Sequence, residues 1–401
     1  MEPYELAEAA DRAGISPDEL SGLVERGILE PDVEGRFTEG DVRRVGVVQS
    51  LVAAGIPIDL LADTLRSGSF SLAFMDDPAY SLFTSFTSET FEEVSARTGV
   101  PLNLLIAIRE SAGGVTPAPG DRVRDGELPV VTLLEFQLTH GFRPITLERH
   151  LRVIGDSLRR IAETSGDAWR SDVLDPLFSA GLSGVEIGEA SGEVSAGMTD
   201  LDEQALLAIY RAHQTRVWTA NIIGGAESVL AAAGLHNRLE HPPAMCFLDI
   251  TGYTRLTQVR GDAAAADLAN QLARLVERTS MRHAGRPVKW LGDGVMLFFP
   301  KPGPAVVAAL EMVVGVAEAG LPPAHVGLHA GPVIFQEGDY YGQTVNVASR
   351  IAEYARPGEV LVSQEVVDAA SQSDVAFREI GPVELKGVGG AMRLHAAFRS
   401  G

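Results

Sequence analysis

Up to about residue 240, apolar residues recur every three or four positions, the spacing of amphipathic helices; from residue 244 onward, strand-like and helix-like stretches alternate. Four short helices are expected in residues 1–70, over "YELAEAADRAG", "SPDELSGLVERG", "TEGDVRRVGVVQSLVAAG" and "PIDLLADTLRSG". Ser16 has Glu19 three places on, the spacing of a capping box. Thr38 opens the third helix in the same way, and Gly27, Gly55 and Pro57 are stop signals. In "ITLERHLRVIGDSLRRIAE", Leu147, Leu151, Ile154, Leu158 and Ile161 advance by alternating fours and threes, so this helix should pack along a partner. Plain packing explains that stripe better than a ligand pocket does. Another long helix is expected over residues 202–234, interrupted near Gly224 and Gly225, before Pro242 and Pro243 mark the main boundary.

Beyond that boundary the expected order is the strand "AMCFLDI", the helix "DAAAADLANQLARLVERTSMRHAG", the hairpin "PVKWLGDGVMLFFP" and the helix "GPAVVAALEMVVGVAEAG". The strand "AHVGLHAGPVIFQ", the turn "EGDYYGQ", the helix "TVNVASRIAEYA", the strand "EVLVSQEVV" and a late pair follow. This βαββαβ order is the ferredoxin-like split motif with additions, so the fold class is α+β with an all-α region in front. Three segments are expected: a helical module at 1–70, a helical regulatory or dimerisation region with a linker helix at 71–240, and the mixed domain at 241–401.

Composition narrows the function. With 45% hydrophobic and 22% charged residues in 401, the chain is globular and long enough for two or three domains. The single cysteine, Cys246, excludes an internal disulfide framework. No stretch approaches the ~20 apolar residues of a membrane span, and the acidic start lacks the pattern of a signal peptide, so a soluble cytoplasmic protein is expected. A formal net charge of −21 disfavours nucleic acid and anionic lipid as partners, so any polyanionic ligand must be met by local cations or a metal.

Three carboxylates, Asp249, Asp293 and Asp339, fall at strand ends or turns. Alone, each is more readily a turn former. In a ferredoxin-like sheet, however, the first strand neighbours the central hairpin, so Asp249 and Asp293 can approach each other, and Mg²⁺ or Mn²⁺ between them would relieve their repulsion. In "DITGYT", Thr251 and Gly252 begin a turn whose backbone N–H groups could hold phosphate oxygens. Asn346 and Arg350, four apart on one helix, share a face that suits a ribose and a phosphate, and an ordinary polar surface explains them equally well.

Two resemblances follow. The N-terminal helices and the "ILEPDVEGRF" wing resemble the winged helix-turn-helix of MerR-type regulators. Ser21, Gly22 and Leu23 stand where that family carries an Arg-Tyr-Tyr run, and acidic residues surround them, so DNA binding is not expected. Residues 241–398 resemble the class III nucleotidyl cyclase catalytic domain through "FLDITGYTRLT", "VKWLGDGVMLFF", "GLHAGPV", "GDYYGQTVNVASRIAEYARPGEVLVS" and "ELKGVGG". That resemblance implies an adenylate cyclase acting on ATP with two Mg²⁺ or Mn²⁺ ions per site. Asp249, Asp293 and the Ile250 carbonyl would bind metal. Lys289 and Asp339 would read the adenine, Asn346 would orient the ribose, Arg350 would stabilise the reacting phosphate, and Lys386 would add a phosphate contact. It also implies a head-to-tail homodimer, each site taking its metal aspartates from one chain and the remaining groups from the other. The helical region would respond to a small-molecule, lipid or pH signal. The competing readings are a nucleotide-binding transcription regulator and a guanylate cyclase.

Overall fold

The computed structural model describes residues 3–76, 85–234, 242–252, 262–370 and 375–400. They form two compact units, Met1–Gly224 and Gly225–Gly401.

In the first unit, α1 (Leu6–Ala13), α2 (Pro17–Glu25), α3 (Glu39–Ala53) and α4 (Ile58–Arg66) enclose a core that includes Leu20, Leu29, Phe37 and Val45. Both expected capping boxes form. Ser16 Oγ accepts the Glu19 N–H at 3.2 Å while Glu19 accepts the Ser16 N–H at 2.8 Å, and Thr38 and Asp41 repeat the exchange at 3.1 and 2.8 Å. A second core gathers Phe91, Leu104, Leu105, Leu134 and Leu147. It is built by β1 (Phe86–Thr90), α5 (Phe91–Thr98), α6 (Leu102–Ser111), β2 (Arg122–Arg124), α7 (Leu128–Thr139) and α8 (Pro144–Trp169). Beside it, Arg109 and Glu127 make a nearly buried two-pronged ion pair, with both contacts at 2.8 Å.

The predicted stripe on α8 packs for only half its length. Leu147 and Leu151 are buried, whereas Ile154, Leu158 and Ile161 are exposed. The reason is the length of the partner: α6 ends at Ser111, against Gly155, and α8 continues to Trp169. After α9 (Asp175–Ser179), α10 runs from Gly184 to Ala232 without the expected break at Gly224 and Gly225. A helical glycine costs about 1 kcal/mol but does not by itself end a helix. The left-handed glycine lies just beyond, at Gly234 with φ 70°.

The second unit holds a seven-stranded sheet. Its strands are β3 (Ala244–Ile250), β4 (Arg286–Leu291), β5 (Gly294–Phe299), β6 (Ala324–Ala330), β9 (Val360–Ser363), β10 (Val375–Glu384) and β11 (Ala391–Arg399). Their order across the sheet is β10-β11-β9-β6-β3-β5-β4. Alternation along β3 makes two faces. Cys246 and Leu248 pack under α11 (Asp262–Arg282) and α12 (Pro302–Glu318) with Val276, Val306 and Met312; Met245 packs on the opposite face with Met296, Tyr340 and Ala348 of α13 (Gln343–Tyr354).

Two strand expectations are corrected. "AHVGLHAGPVIFQ" is not one strand: β6 stops at Ala330, and β7 (Ile334–Gln336) pairs instead with β8 (Asp339–Tyr341) as a separate arm. At the break, Gly331 lies so close to the Thr344 hydroxyl that a Cβ would come within 2.6 Å of it. "EVLVSQEVV" ends as a strand at Ser363, and Gln364–Ala369 is the helix α14. The β-branched pair Val366 and Val367 carried the strand signal, but Val366 enters the main core from a helical turn, and burial outweighs propensity.

Gly327 fixes how closely α13 approaches the sheet. A Cβ there would lie 2.1 Å from the Ala352 nitrogen and 2.7 Å from the Ala348 carbonyl oxygen, both backbone atoms of α13. Gly327→Ala is therefore expected to cost about 3 kcal/mol and to displace the helix that carries Asn346 and Arg350. Thermal unfolding would show this as a lowered midpoint, and an unchanged midpoint would contradict it.

Candidate active site

Asp249 is the last residue but one of β3, where its neighbours across the sheet are Gly294 on β5 and His325 on β6. Asp293 occupies the tip of the β4–β5 hairpin after Gly292, whose φ of 70° suits glycine. At position 294 a Cβ would lie 3.0 Å from Asp249 Oδ1, a tight approach that glycine avoids. The Asp249 carboxyl is pushed above its ordinary pKa, first by burial and then by the charge of Asp293, while His325 pulls it the other way. Two carboxylates in mutual repulsion at the end of a sheet form an environment that a hard cation would stabilise. Among the described residues no group of three or more His, Cys, Asp or Glu side chains could hold a metal ion. Asp249 and Asp293, with the Ile250 carbonyl, are the groups that the sequence offers as metal ligands.

The turn after β3 needs one correction. The Thr251 N–H is not free for a ligand, because it donates to the Pro323 carbonyl at 2.9 Å. Gly252 follows with φ 80° and is exposed, and the helix expected to start after it lies outside the described residues.

Lys289 on β4 and Asp339 on β8 meet: Lys289 Nζ donates to Asp339 Oδ2. The β7–β8 arm is held in place by residues that the sequence reading missed. Arg286 Nη2 donates to the Tyr340 hydroxyl at 2.7 Å, and the Tyr340 ring stacks on Phe298 with centroids 4.4 Å apart. Arg286 also lies over the rings of Phe298 and Phe335. An arginine three places before Lys289 and a tyrosine next to Asp339 were visible in the chain, but nothing in their spacing announced that they would meet.

Asn346 and Arg350 lie on the outer side of α13. Asn346 is exposed, and Arg350 Nη1 donates to both carboxylate oxygens of Glu353 at 2.6 Å. Lys386 is exposed in the β10–β11 connection. Among the described residues no hydrogen bond or ion pair joins the carboxylate pair, the Lys289–Asp339 pair and the α13 pair to one another. A cavity of about 760 Å³ lies between α11 and α12, and none of the candidate residues lines it.

Residues 240–396 match the family model for the adenylate and guanylate cyclase catalytic domain. The chain is 27% identical over 320 residues to the pH-sensitive adenylate cyclase MT1302 of Mycobacterium tuberculosis, covering 77% of each chain. That match is longer than the 240–396 span, so the similarity reaches into the helical region. An adenylate cyclase of Streptomyces coelicolor is 28% identical over 212 residues, covering 53% of this chain and 52% of that one. The crystal structure of the adenylyl cyclase CyaB from P. aeruginosa aligns with 40% of this chain and 95% of its own, at 22% identity and a TM-score of 0.37. The family model and the relatives together support a class III adenylate or guanylate cyclase catalytic domain in the C-terminal part of this chain.

Proposed function

We propose that the chain is an adenylate cyclase that converts ATP to 3′,5′-cyclic AMP and pyrophosphate by in-line attack of the ribose 3′-hydroxyl on the α-phosphate. The observation that carries this reading is the meeting of Lys289 with Asp339, 50 positions apart, in the same unit as the paired Asp249 and Asp293. The central strand order β6-β3-β5-β4 agrees with a ferredoxin-like arrangement.

Each group has a role that suits its chemistry. Lys289 donates to a ring nitrogen of adenine and Asp339 accepts from its 6-amino group. Asn346 orients the ribose, and Arg350 leaves Glu353 to stabilise charge growing on the phosphate. Asp249, Asp293 and the Ile250 carbonyl would hold two Mg²⁺ or Mn²⁺ ions, which would activate the 3′-hydroxyl and neutralise the triphosphate. Lys386 supplies a further phosphate contact, and Gly252 presents backbone to the phosphates. Asp293→Ala is expected to lower cyclic AMP formation by about a thousandfold at fixed Mn²⁺. A radiolabelled ATP assay measures this, and near-normal activity would remove Asp293 from the metal site.

The active unit is a head-to-tail homodimer with two equivalent sites. Among the described residues no hydrogen bond or ion pair joins the three candidate groups. Trp290, Leu291, Ile334, Phe335 and Tyr341 are exposed apolar residues on the strands that carry or flank Lys289 and Asp339, the composition of a surface covered by a second copy.

The helical region acts as a regulator of the catalytic pair, in the cytoplasm. No described helix is long and apolar enough to cross a membrane. A chain beginning at residue 242 should retain cyclase chemistry and lose the response of the full chain to its signal, whether small molecule, lipid or pH. Equal rates and equal responses in both chains would refute regulation by this region.

A further inference from the structure

We propose that His325 is a positioning residue that holds Asp249 in its metal-binding orientation by bridging it to Thr251. This rests on the reading of Asp249 as a metal ligand. Sheet register places His325 directly across from Asp249. Asp249 and Thr251 are two positions apart, so both side chains project from the same side of the strand end. The imidazole reaches both. Its Nε2 lies 3.5 Å from Asp249 Oδ2, and its Nδ1 lies 3.3 Å from Thr251 Oγ1.

The Thr251 contact is a hydrogen bond and the Asp249 contact an ion-pair approach. With the hydrogen on Nε2, toward the carboxylate, Nδ1 of a neutral ring accepts from the Thr251 hydroxyl. The ring is well placed to hold its position, since only 13% of the His325 side chain is exposed against 45% for Asp249. The turn is tied to the entry of β6 a second time by the Thr251 N–H on the Pro323 carbonyl at 2.9 Å.

Such a support has a physical purpose here. Before any cation arrives, Asp293 repels Asp249, and a half-exposed carboxylate can relax by rotating toward water. A donor on the opposite side resists that rotation, so less of the binding energy of a metal is spent on bringing the two carboxylates together. Groups of this kind, behind a metal ligand, alter metal affinity by about 10- to 100-fold.

The test uses the full chain with Mn²⁺ and 3′-deoxy-ATP, which lacks the attacking hydroxyl, and reads free Mn²⁺ by its electron paramagnetic resonance signal. His325→Phe keeps a ring without donors and is expected to weaken Mn²⁺ binding about tenfold, with the thermal unfolding midpoint recorded alongside. His325→Gln restores an N–H donor and is expected to bind within about threefold of the parent. In turnover assays with ATP, the Mn²⁺ requirement of the Phe variant should rise while KM for ATP at saturating Mn²⁺ stays unchanged. Thr251→Val, a change at an exposed position, should weaken Mn²⁺ binding in the same direction and serves if the Phe variant does not fold. Parental Mn²⁺ affinity in the Phe variant, or in the Thr251→Val chain when the Phe variant does not fold, overturns the proposal, as does equal weakening in the Phe and Gln variants. Asp249→Ala separates the two readings. Unchanged Mn²⁺ binding in that chain overturns the metal site and this proposal together. Its loss there, with parental binding in the Phe variant, overturns the role of His325 alone.

Discussion

Asp249→Ala and Arg350→Ala chains, each nearly inactive alone, are expected to regain about a quarter of the parental cyclase activity when mixed in equal amounts. The figure follows from the proposed symmetry. Random exchange makes half of the dimers mixed, and each mixed dimer has one site bearing both defects and one bearing neither. Singly, each substitution should cost about 10²- to 10³-fold or more in kcat, the usual loss when a charge-stabilising group is removed from a reacting phosphate or its metal. The gain on mixing should also depend on protein concentration, as a second-order association does. A mixture no more active than its components would show that the site is not shared between chains.

The second large effect concerns the base. Lys289 and Asp339 hold each other, and in the proposed site each would exchange that contact for a purine edge. Replacing them together by glutamate and cysteine should lower kcat/KM for ATP by about 10²-fold or more, because two hydrogen bonds involving charged groups, each worth about 1.5–3 kcal/mol, are lost. The ratio of ATP to GTP use should move toward GTP. Arg286→Ala is a milder version of the same experiment. It removes the bond to the Tyr340 hydroxyl that helps hold the β7–β8 arm, so KM for ATP should rise while Lys289 and Asp339 remain. An ATP to GTP ratio unchanged by the double substitution would refute this account of the pocket.

Legibility in the sequence followed the range of the interactions involved. Capping boxes at Ser16 and Thr38 are local and were readable, as were the hairpin around Gly292 and the helix bearing Asn346 and Arg350. What escaped depends on contacts between distant segments. Helix α8 could not reveal that α6 ends at Ser111, leaving Ile154, Leu158 and Ile161 exposed. The two glycines at 224 and 225 looked like a break, although the helix runs through them. Val366 looked like a strand residue until its burial in the core was known. Within the candidate site, the charged residues were proposed from motifs that are local in the chain. Arg286 and Tyr340 are 54 positions apart, and His325 is 76 positions from Asp249, so their roles come from arm placement and strand register. Thr251 shows the converse: its amide looked available in a small-residue turn and is engaged by Pro323.

Adenylate cyclase activity is tested most directly by incubating the purified full chain separately with ATP and with GTP, in Mn²⁺ or Mg²⁺, and identifying the products by mass spectrometry. Cyclic AMP and pyrophosphate are expected in equal amounts from ATP, formed faster than cyclic GMP from GTP and abolished by chelating the metal. Absence of cyclic AMP, or faster formation of cyclic GMP, would contradict the proposed activity.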